Sequence, residues 1–289
     1  MRDDVTIIIP TACADERYET IKRAISSLSG QELGCPLILV VANGPRVSER
    51  ILEEIATHSR IKIVRIAEGS LPRAIAVGRS HVTTPYFGYL DDDDEYLPHA
   101  LTLRLRALEG NVHAAVCATD GYRHADGVDR LIETVYPESP HDPLRGLLRA
   151  NWLASCAGLF RTDLVPETLF DGVTRYYEWT LLAYKLAISR QVVLLPSPTY
   201  RLHVSSGSLS RSDAYRLAEP EVLKKIYHLN LPNDQKRAIA QRIGAAYHAL
   251  SGHFHRQGQP RKAWEFHLRS LLRPSGWRYA SYTARLLKC

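Results

Sequence analysis

Long apolar runs are missing from this sequence. Val5–Ile9, Leu37–Ala42 and Val192–Leu195 are all far shorter than the ~20 residues of a membrane-spanning helix. Cysteine is scarce. The five present, Cys13, Cys35, Cys117, Cys156 and Cys289, are odd in number and none has C-x-x-C spacing. That argues against a disulfide framework and a zinc site. The opening Met1-Arg2-Asp3-Asp4 is acidic where a secretion signal would be basic. These absences predict a soluble, cytoplasmic protein. Lysine is also sparse, at 8 against 29 arginines, and phenylalanine, at 5 against 15 tyrosines; the arginine bias points to a GC-rich bacterial genome.

What is present is ordinary in amount and uneven in placement. The 45 % apolar and 24 % charged residues exclude a disordered chain, a collagen and a coiled-coil rod. The length, 289 residues, suits about two domains, or one large domain with an appendage. The net charge of +6 hides an asymmetry. From Tyr215 onward there are 14 basic and 4 acidic side chains, against 23 and 27 before it. An acidic body thus precedes a basic tail.

The body alternates. Val5–Ile9, Leu37–Ala42, Ile61–Ile66 and Tyr86–Leu90 read as strands. Glu16–Leu28, Val47–Thr57 and Pro72–Ser80 carry apolar residues at helical spacing. This order predicts an α/β fold, a mostly parallel sheet with helices on both faces, which binds ligands at the carboxyl ends of its strands. A helix at His99–Leu108 follows, then a strand at Ala114–Thr119 and a hairpin closed by Asp126-Gly127. Thr180–Ala187 reads as a helix and Val192–Leu195 as a strand. Arg201–Ser212, rich in Ser and Gly, reads as a loop. The tail turns helical from Ala218, with a stripe of Ile239, Ile243, Ala246, Tyr247, Leu250 and Phe254, and a further helix at Arg261–Leu272. The domains expected are therefore 1–214, with halves 1–98 and 99–214, and a basic helical extension, 215–289.

The most informative stretch is Asp91-Asp92-Asp93-Asp94-Glu95, directly after an apolar strand. Five adjacent carboxylates repel one another unless a cation or water neutralises them. If the strand continues, Asp91 and Asp93 point to one side. Such a pair, with open positions for water and phosphate oxygens, suits Mg²⁺ or Mn²⁺ better than zinc. The plainer alternative is a solvated acidic loop before the helix that starts near Pro98.

Several motifs, in order, resemble the family 2 glycosyltransferases of the GT-A fold. They are Val5-Thr6-Ile7-Ile8-Ile9-Pro10-Thr11, Val40-Val41-Ala42-Asn43-Gly44, Leu71-Pro72-Arg73-Ala74, and Phe87 through Pro98 with the acidic stretch. Leu159-Phe160-Arg161, Phe170-Asp171 before Tyr177-Glu178-Trp179, and Tyr200-Arg201-Leu202-His203 follow. The similarity spans roughly residues 4–210.

The resemblance implies a metal-dependent enzyme, inverting in the family manner, that moves a sugar from a nucleotide-diphosphate sugar to a hydroxyl in bacterial surface polysaccharide synthesis. Thr11, Asn43 and Arg73 would cradle the nucleotide, with Asp92 near the ribose. Asp93, helped by Asp91, would hold the divalent cation. His203 would meet the metal or the diphosphate, and Arg201 a phosphate. For Arg73 and His203 an ordinary surface role is the alternative. Glu178, the only carboxylate between Gly172 and Ile188, is the expected base; the alternative is that it complements a helix N-terminus. Asn151-Trp152 and Tyr176-Tyr177 would offer faces to an acceptor, or pack the core. The implied partners are the donor and a glycan or lipid-linked glycan acceptor, with no nucleic acid. The basic tail would suit peripheral contact with an anionic inner membrane, or serve as a solvated lid or oligomer contact.

The sequence departs from the family pattern in four places. Ala42 stands where an acid usually precedes Asn43, Ala12-Cys13 and Ala76 replace further usual residues, and Trp179 occupies the position of the usual second acid. That last change keeps open a catalytically inactive, glycan-binding or scaffold relative. A sugar-phosphate nucleotidylyltransferase is the remaining alternative, disfavoured because Thr11–Arg17 lacks the glycine-rich loop it would need.

Overall fold

The structure, a computed structural model, describes residues 3–136, 138–204 and 212–287. Its first strand, β1 (Val5–Thr11), is buried along its whole length. A β-branched run buried on both faces fits the centre of a parallel sheet. Each fully buried Ile there contributes about 1.5–3 kcal/mol. The elements that follow are α1 (Tyr18–Ser29), β2 (Leu37–Asn43), α2 (Glu49–Ala56), β3 (Ile61–Ile66), α3 (Leu71–Ser80) and β4 (Tyr86–Tyr89). In this half the strands run parallel in the order β3-β2-β1-β4.

The second half is mixed. It comprises β5 (Glu95–Tyr96), α4 (Ala100–Glu109), β6 (Ala114–Ala125), β7 (Val128–Ile132), α5 (Pro143–Gly146), β8 (Gly158–Arg161), α6 (Glu178–Ser189) and β9 (Gln191–His203). The sheet continues from β4 through β8, β6 and β9 to β5, with β7 on β6. The β6–β7 hairpin turns at Asp126 and Gly127, both at positive φ (52° and 76°), as a tight primed turn requires.

Two features position the site. The first is the divergence of β1 from β4. Their pairing ends at Ile8↔Tyr89, so Pro10, which has no N–H, lies beyond the last β4 partner and leaves no ladder bond unmade. Chain crossovers reverse between these two strands, and a crevice at such a switch point is the usual ligand position in α/β sheets. The second is β9. It pairs in parallel with β6 and, at its far end, antiparallel with β5, Glu95↔Arg201. The register slips between Thr119↔Leu195 and Asp120↔Pro198, where Pro196 and Pro198 cannot donate.

Two sequence expectations are corrected. Arg201–His203 belongs to β9 and not to a loop; the part of that stretch at 205–211 lies outside the described residues. The acids after β4 form a turn, closed by Asp94 N–H donating to the Asp91 carbonyl at 3.1 Å, so strand alternation does not apply to Asp91 and Asp93.

The chain divides into two units, Met1–Ser205 and Ser206–Cys289. The second is helical: α7 (Asp213–Tyr227), α8 (Asn233–Arg256), α9 (Pro260–Leu271) and α10 (Tyr282–Leu286). The expected α8 stripe is buried from Ile239 to Phe254. Phe254 stacks on Phe266 of α9, ring centroids 5.5 Å apart.

Candidate functional site

The carboxyl ends of β1, β2 and β4 converge. The Asn43 amide donates to the Thr11 carbonyl at 2.8 Å, tying the ends of β2 and β1. Thr11 Oγ1 donates to the Asp92 carboxylate and accepts from the Cys13 N–H. Asp92 is buried and serves as the link between β1 and the acidic turn.

The acids are met by Arg17 and Arg23, which the sequence had not singled out, and by Arg201 and His203, which it had. Arg17 Nη1 lies 2.8 Å from Asp93 and 3.2 Å from Asp92. Arg23 of α1 reaches Glu95 at 3.1 Å and donates to the Asp93 carbonyl at 2.6 Å. Arg201 pairs with Glu95 at 2.8 Å and Asp129 at 2.7 Å. His203 Nε2 lies 3.1 Å from Glu95, and its backbone N–H donates to Asp94 at 2.9 Å. Arg201 and His203 are thus brought to the acidic turn through Glu95 and Asp94. Arg73 is exposed at the start of α3, and its backbone N–H is capped by Ser70 at 3.4 Å.

Among the described residues no cation pairs with Asp91, and none pairs with Asp94, whose partners are the His203 backbone N–H and the Cys156 thiol. Desolvation, then the charges of Asp93, Asp92 and Glu178, push the Asp91 carboxyl up to about 7, against a hydrogen bond from Ser155. Asp92 is raised to about 6 by burial, opposed by Arg17 and Thr11. Burial and the charges of Asp91 and Asp93 likewise raise Asp94. Burial and Arg23 lower the pKa of His203, leaving its imidazole neutral at pH 7.

Glu178 is the first residue of α6 and is buried. Burial raises its carboxyl above the ordinary range, opposed by its own and the Tyr176 backbone N–H. The Tyr176 N–H bond is 2.9 Å long. Tyr176 and Tyr177 both hold positive φ, 67° and 57°. Such conformations in non-glycine residues cost about 1–3 kcal/mol each and concentrate at functional sites. Trp179, the next residue, packs edge-on against buried Tyr89 at 5.0 Å.

Trp152 offers no face to an acceptor. It is fully buried and its indole N–H donates to the Pro143 carbonyl at 2.9 Å. Asn151 bonds Leu153 and Thr180. Tyr176 and Tyr177 remain half-buried. The buried thiols Cys13, Cys117 and Cys156 are poor nucleophiles: burial raises Cys13 to about 11, Cys117 to about 12, and Cys156 well above the ordinary value.

Among the described residues, no three His, Cys, Asp or Glu side chains assemble into a metal cage. The donor set at Asp91 and Asp93 fits a hard divalent cation nonetheless. Both are carboxylates, Asp91 is in no ion pair among the described residues, and the remaining positions would fall to water and phosphate oxygens.

No curated protein matches this sequence. Among solved structures, S. aureus TarS 1-349 in complex with UDP-GlcNAc is similar at TM-score 0.64 and 13 % identity, covering 91 % of this chain and 89 % of that one. The same protein in complex with UDP gives 0.61 and 15 %, covering 86 % and 72 %. At these identities the likeness is one of fold, and it agrees with the expected GT-A architecture and helical C-terminal region. The family model described as "Glycosyl transferase family 2" matches residues 6–163. With that match over more than half its length, the chain belongs to glycosyl transferase family 2.

Proposed function

We propose that this glycosyltransferase moves a sugar from a nucleotide-diphosphate donor to a hydroxyl of a glycan or lipid-linked glycan, with inversion, in bacterial surface polysaccharide synthesis. The observation that carries this reading is Asp91: a carboxylate in no ion pair among the described residues, raised to about 7 partly by Asp93 and Glu178, beside the β1–β4 switch point. Excess negative charge at that place suits a cation and a leaving diphosphate. The UDP and UDP-GlcNAc complexes of TarS make uridine nucleotides the first donors to test.

In this reading Thr11, Asn43 and Arg73 form the nucleotide cradle, and Asp92 locks β1 to the acidic turn beside the ribose. Asp91 and Asp93 would hold Mn²⁺ or Mg²⁺, with His203 and Arg201 at the phosphate side. The ion, when bound, would supply counter-charge for the departing phosphate oxygens. Glu178 accepts the proton of the attacking hydroxyl; its raised pKa keeps it a stronger base than an exposed glutamate. Residues 1–98 serve the donor, 99–214 the acceptor, and 215–289 form the basic extension, which brings the protein to the inner face of the membrane.

Hydrolysis of a panel of UDP-, GDP- and TDP-sugars with Mn²⁺ tests this. Turnover of at least one donor, lost with EDTA and in Asp93→Ala, is expected. Turnover indifferent to Asp93→Ala overturns the metal assignment. A second reading, an inactive glycan-binding relative, draws on Arg17, which already neutralises Asp92 and Asp93; absence of turnover with every donor would favour it.

A further inference from the structure

The second unit exposes apolar side chains that its own packing does not use. Leu272, at the end of α9, is 85 % exposed, Trp277 is 76 % exposed and Leu268 is 53 % exposed. Leu268 and Leu272 are joined by a helical bond, Leu272 N–H to the Leu268 carbonyl at 3.3 Å, and so stand on one face. Large apolar groups left in water this way mark interaction surfaces when they cluster.

Cations bracket them. Leu272 shares an open cavity of about 420 Å³ with Lys224, Tyr247, Arg269 and Arg273. The three cations converge on the Tyr247 ring, at 5.7, 5.9 and 5.8 Å from its centroid. Glu221 pairs with Lys224 at 2.8 Å and Glu265 with Arg269 at 2.7 Å. Among the described residues no carboxylate pairs with Arg273. Further along the same segment, Lys236 and Arg237 line a cavity of about 530 Å³ with Pro274 and Ser275. The Arg278 guanidinium lies 5.8 Å from the Trp277 ring centroid.

Cations gathered around one ring repel one another, and an anion between them relieves the repulsion. The adjoining Leu272 and the exposed Trp277 of the same segment narrow the choice of anion. Headgroup phosphates accept the guanidinium and ammonium groups, a tryptophan sits at headgroup level, and leucines reach the acyl boundary. A nucleic-acid backbone would use the cations but not an almost fully exposed leucine. A second copy would bring another unit with 15 basic and 5 acidic residues over 206–289 against the first, which self-repulsion opposes.

We propose that the α9 face bearing Leu268 and Leu272, together with the exposed Trp277 that follows it in sequence, docks this protein on an anionic lipid surface, with the Lys224–Arg269–Arg273 cavity receiving a lipid phosphate. The proposal gives residues to the membrane contact in the functional reading above and rests on that reading.

Flotation of the full chain with phosphatidylcholine vesicles, with and without phosphatidylglycerol, tests it. Binding is expected only to the anionic vesicles, weakening at high salt. A basic residue near such a surface contributes about fivefold in affinity, so Arg269→Glu with Arg273→Glu should lose roughly 25-fold or more. Trp277→Ser and Leu272→Ser should each weaken binding, and wild-type tryptophan emission should shift to the blue on binding, but not in Trp277→Phe. Circular dichroism verifies that each variant is folded, and Arg278→Glu, a single exposed change, serves if the double variant is not. Equal binding to neutral vesicles, or undiminished binding by folded charge-reversed variants, overturns the proposal. So does a Leu272-dependent dimer, RNA binding at this face, or binding of inorganic phosphate without vesicle binding. Donor hydrolysis by the free chain separates the two ideas: its absence counts against the transferase reading, whereas its presence without vesicle binding counts only against docking.

Discussion

Arg17 Nη1 donates to the Asp93 carboxylate at 2.8 Å and reaches Asp92 at 3.2 Å. The guanidinium thus occupies part of the charge that a divalent cation would need. Its side chain is 40 % exposed, so it can swing into solvent, where hydration offsets the two ion pairs it gives up. Arg17→Ala is therefore expected to tighten Mn²⁺ binding, by about fivefold for the loss of one partly exposed cation worth ~1 kcal/mol. Titration of the free Mn²⁺ signal by electron paramagnetic resonance measures this without any turnover. Weaker binding in the variant would mean that Arg17 positions Asp93 for the ion and does not compete with it.

The raised carboxyl of Asp91 has a consequence for stability. Its folded value, about 7, stands above the ordinary 3.8, so between those values the native state holds a proton that the unfolded chain has released. The associated stability is fully present below pH 3.8 and is lost as pH rises through about 7. Asp92, at about 6, acts in the same direction. In EDTA the melting temperature should therefore fall between pH 5 and pH 8, and Asp91→Asn should flatten that fall. Mn²⁺ should restore stability at pH 8. A melting temperature that rises with pH over this range, with the same slope in Asp91→Asn, would contradict the charge assignment.

Strand β9 must pass close to β6 to deliver Arg201 and His203. At Gly121 of β6, a Cβ would lie 2.3 Å from the Tyr200 ring, and Tyr200 is itself 1 % exposed. Gly121→Ala is expected to destabilise the protein by about 1–3 kcal/mol, as overpacking does. Denaturant unfolding should show a lower midpoint with an unchanged slope. An unchanged midpoint would mean that the ring shifts freely.

The parallel half of the sheet was legible because each element announces itself locally: β1 through an all-buried β-branched run, α1 through Ile21, Ala24, Ile25 and Leu28 on one stripe. The acidic turn was conspicuous in its residue types, since five adjacent carboxylates repel one another unless something neutralises them. Its geometry was not. Nothing within Asp91–Glu95 has a periodicity that distinguishes a turn from a strand. The placement of Arg201 depends on pairing with Glu95, 106 residues earlier, and that of Arg17 on contacts 75 and 76 residues away. The requirement for counter-ions was itself a signal: Arg17 and Arg23 follow the strand whose end lies beside the acids, and they could have been nominated on charge balance alone.

Glu178 carries the last prediction. Its carboxylate accepts the Tyr176 N–H at 2.9 Å, a bond that Gln can keep through its carbonyl oxygen. Glu178→Gln should therefore fold normally and bind donor as the wild type does. Transfer to a hydroxyl acceptor should fall by about 10²–10⁴-fold, the usual contribution of a positioned base. Because only the ionised carboxylate accepts a proton, the wild-type transfer rate should rise with pH through a pKa above the ordinary glutamate value of 4.5, and this limb should vanish in the variant. Hydrolysis of donor by water is the wrong readout, since water needs less activation than a positioned sugar hydroxyl. If transfer to the acceptor is undiminished in Glu178→Gln, the residue merely complements the N-terminus of α6, and the proton leaves by another route.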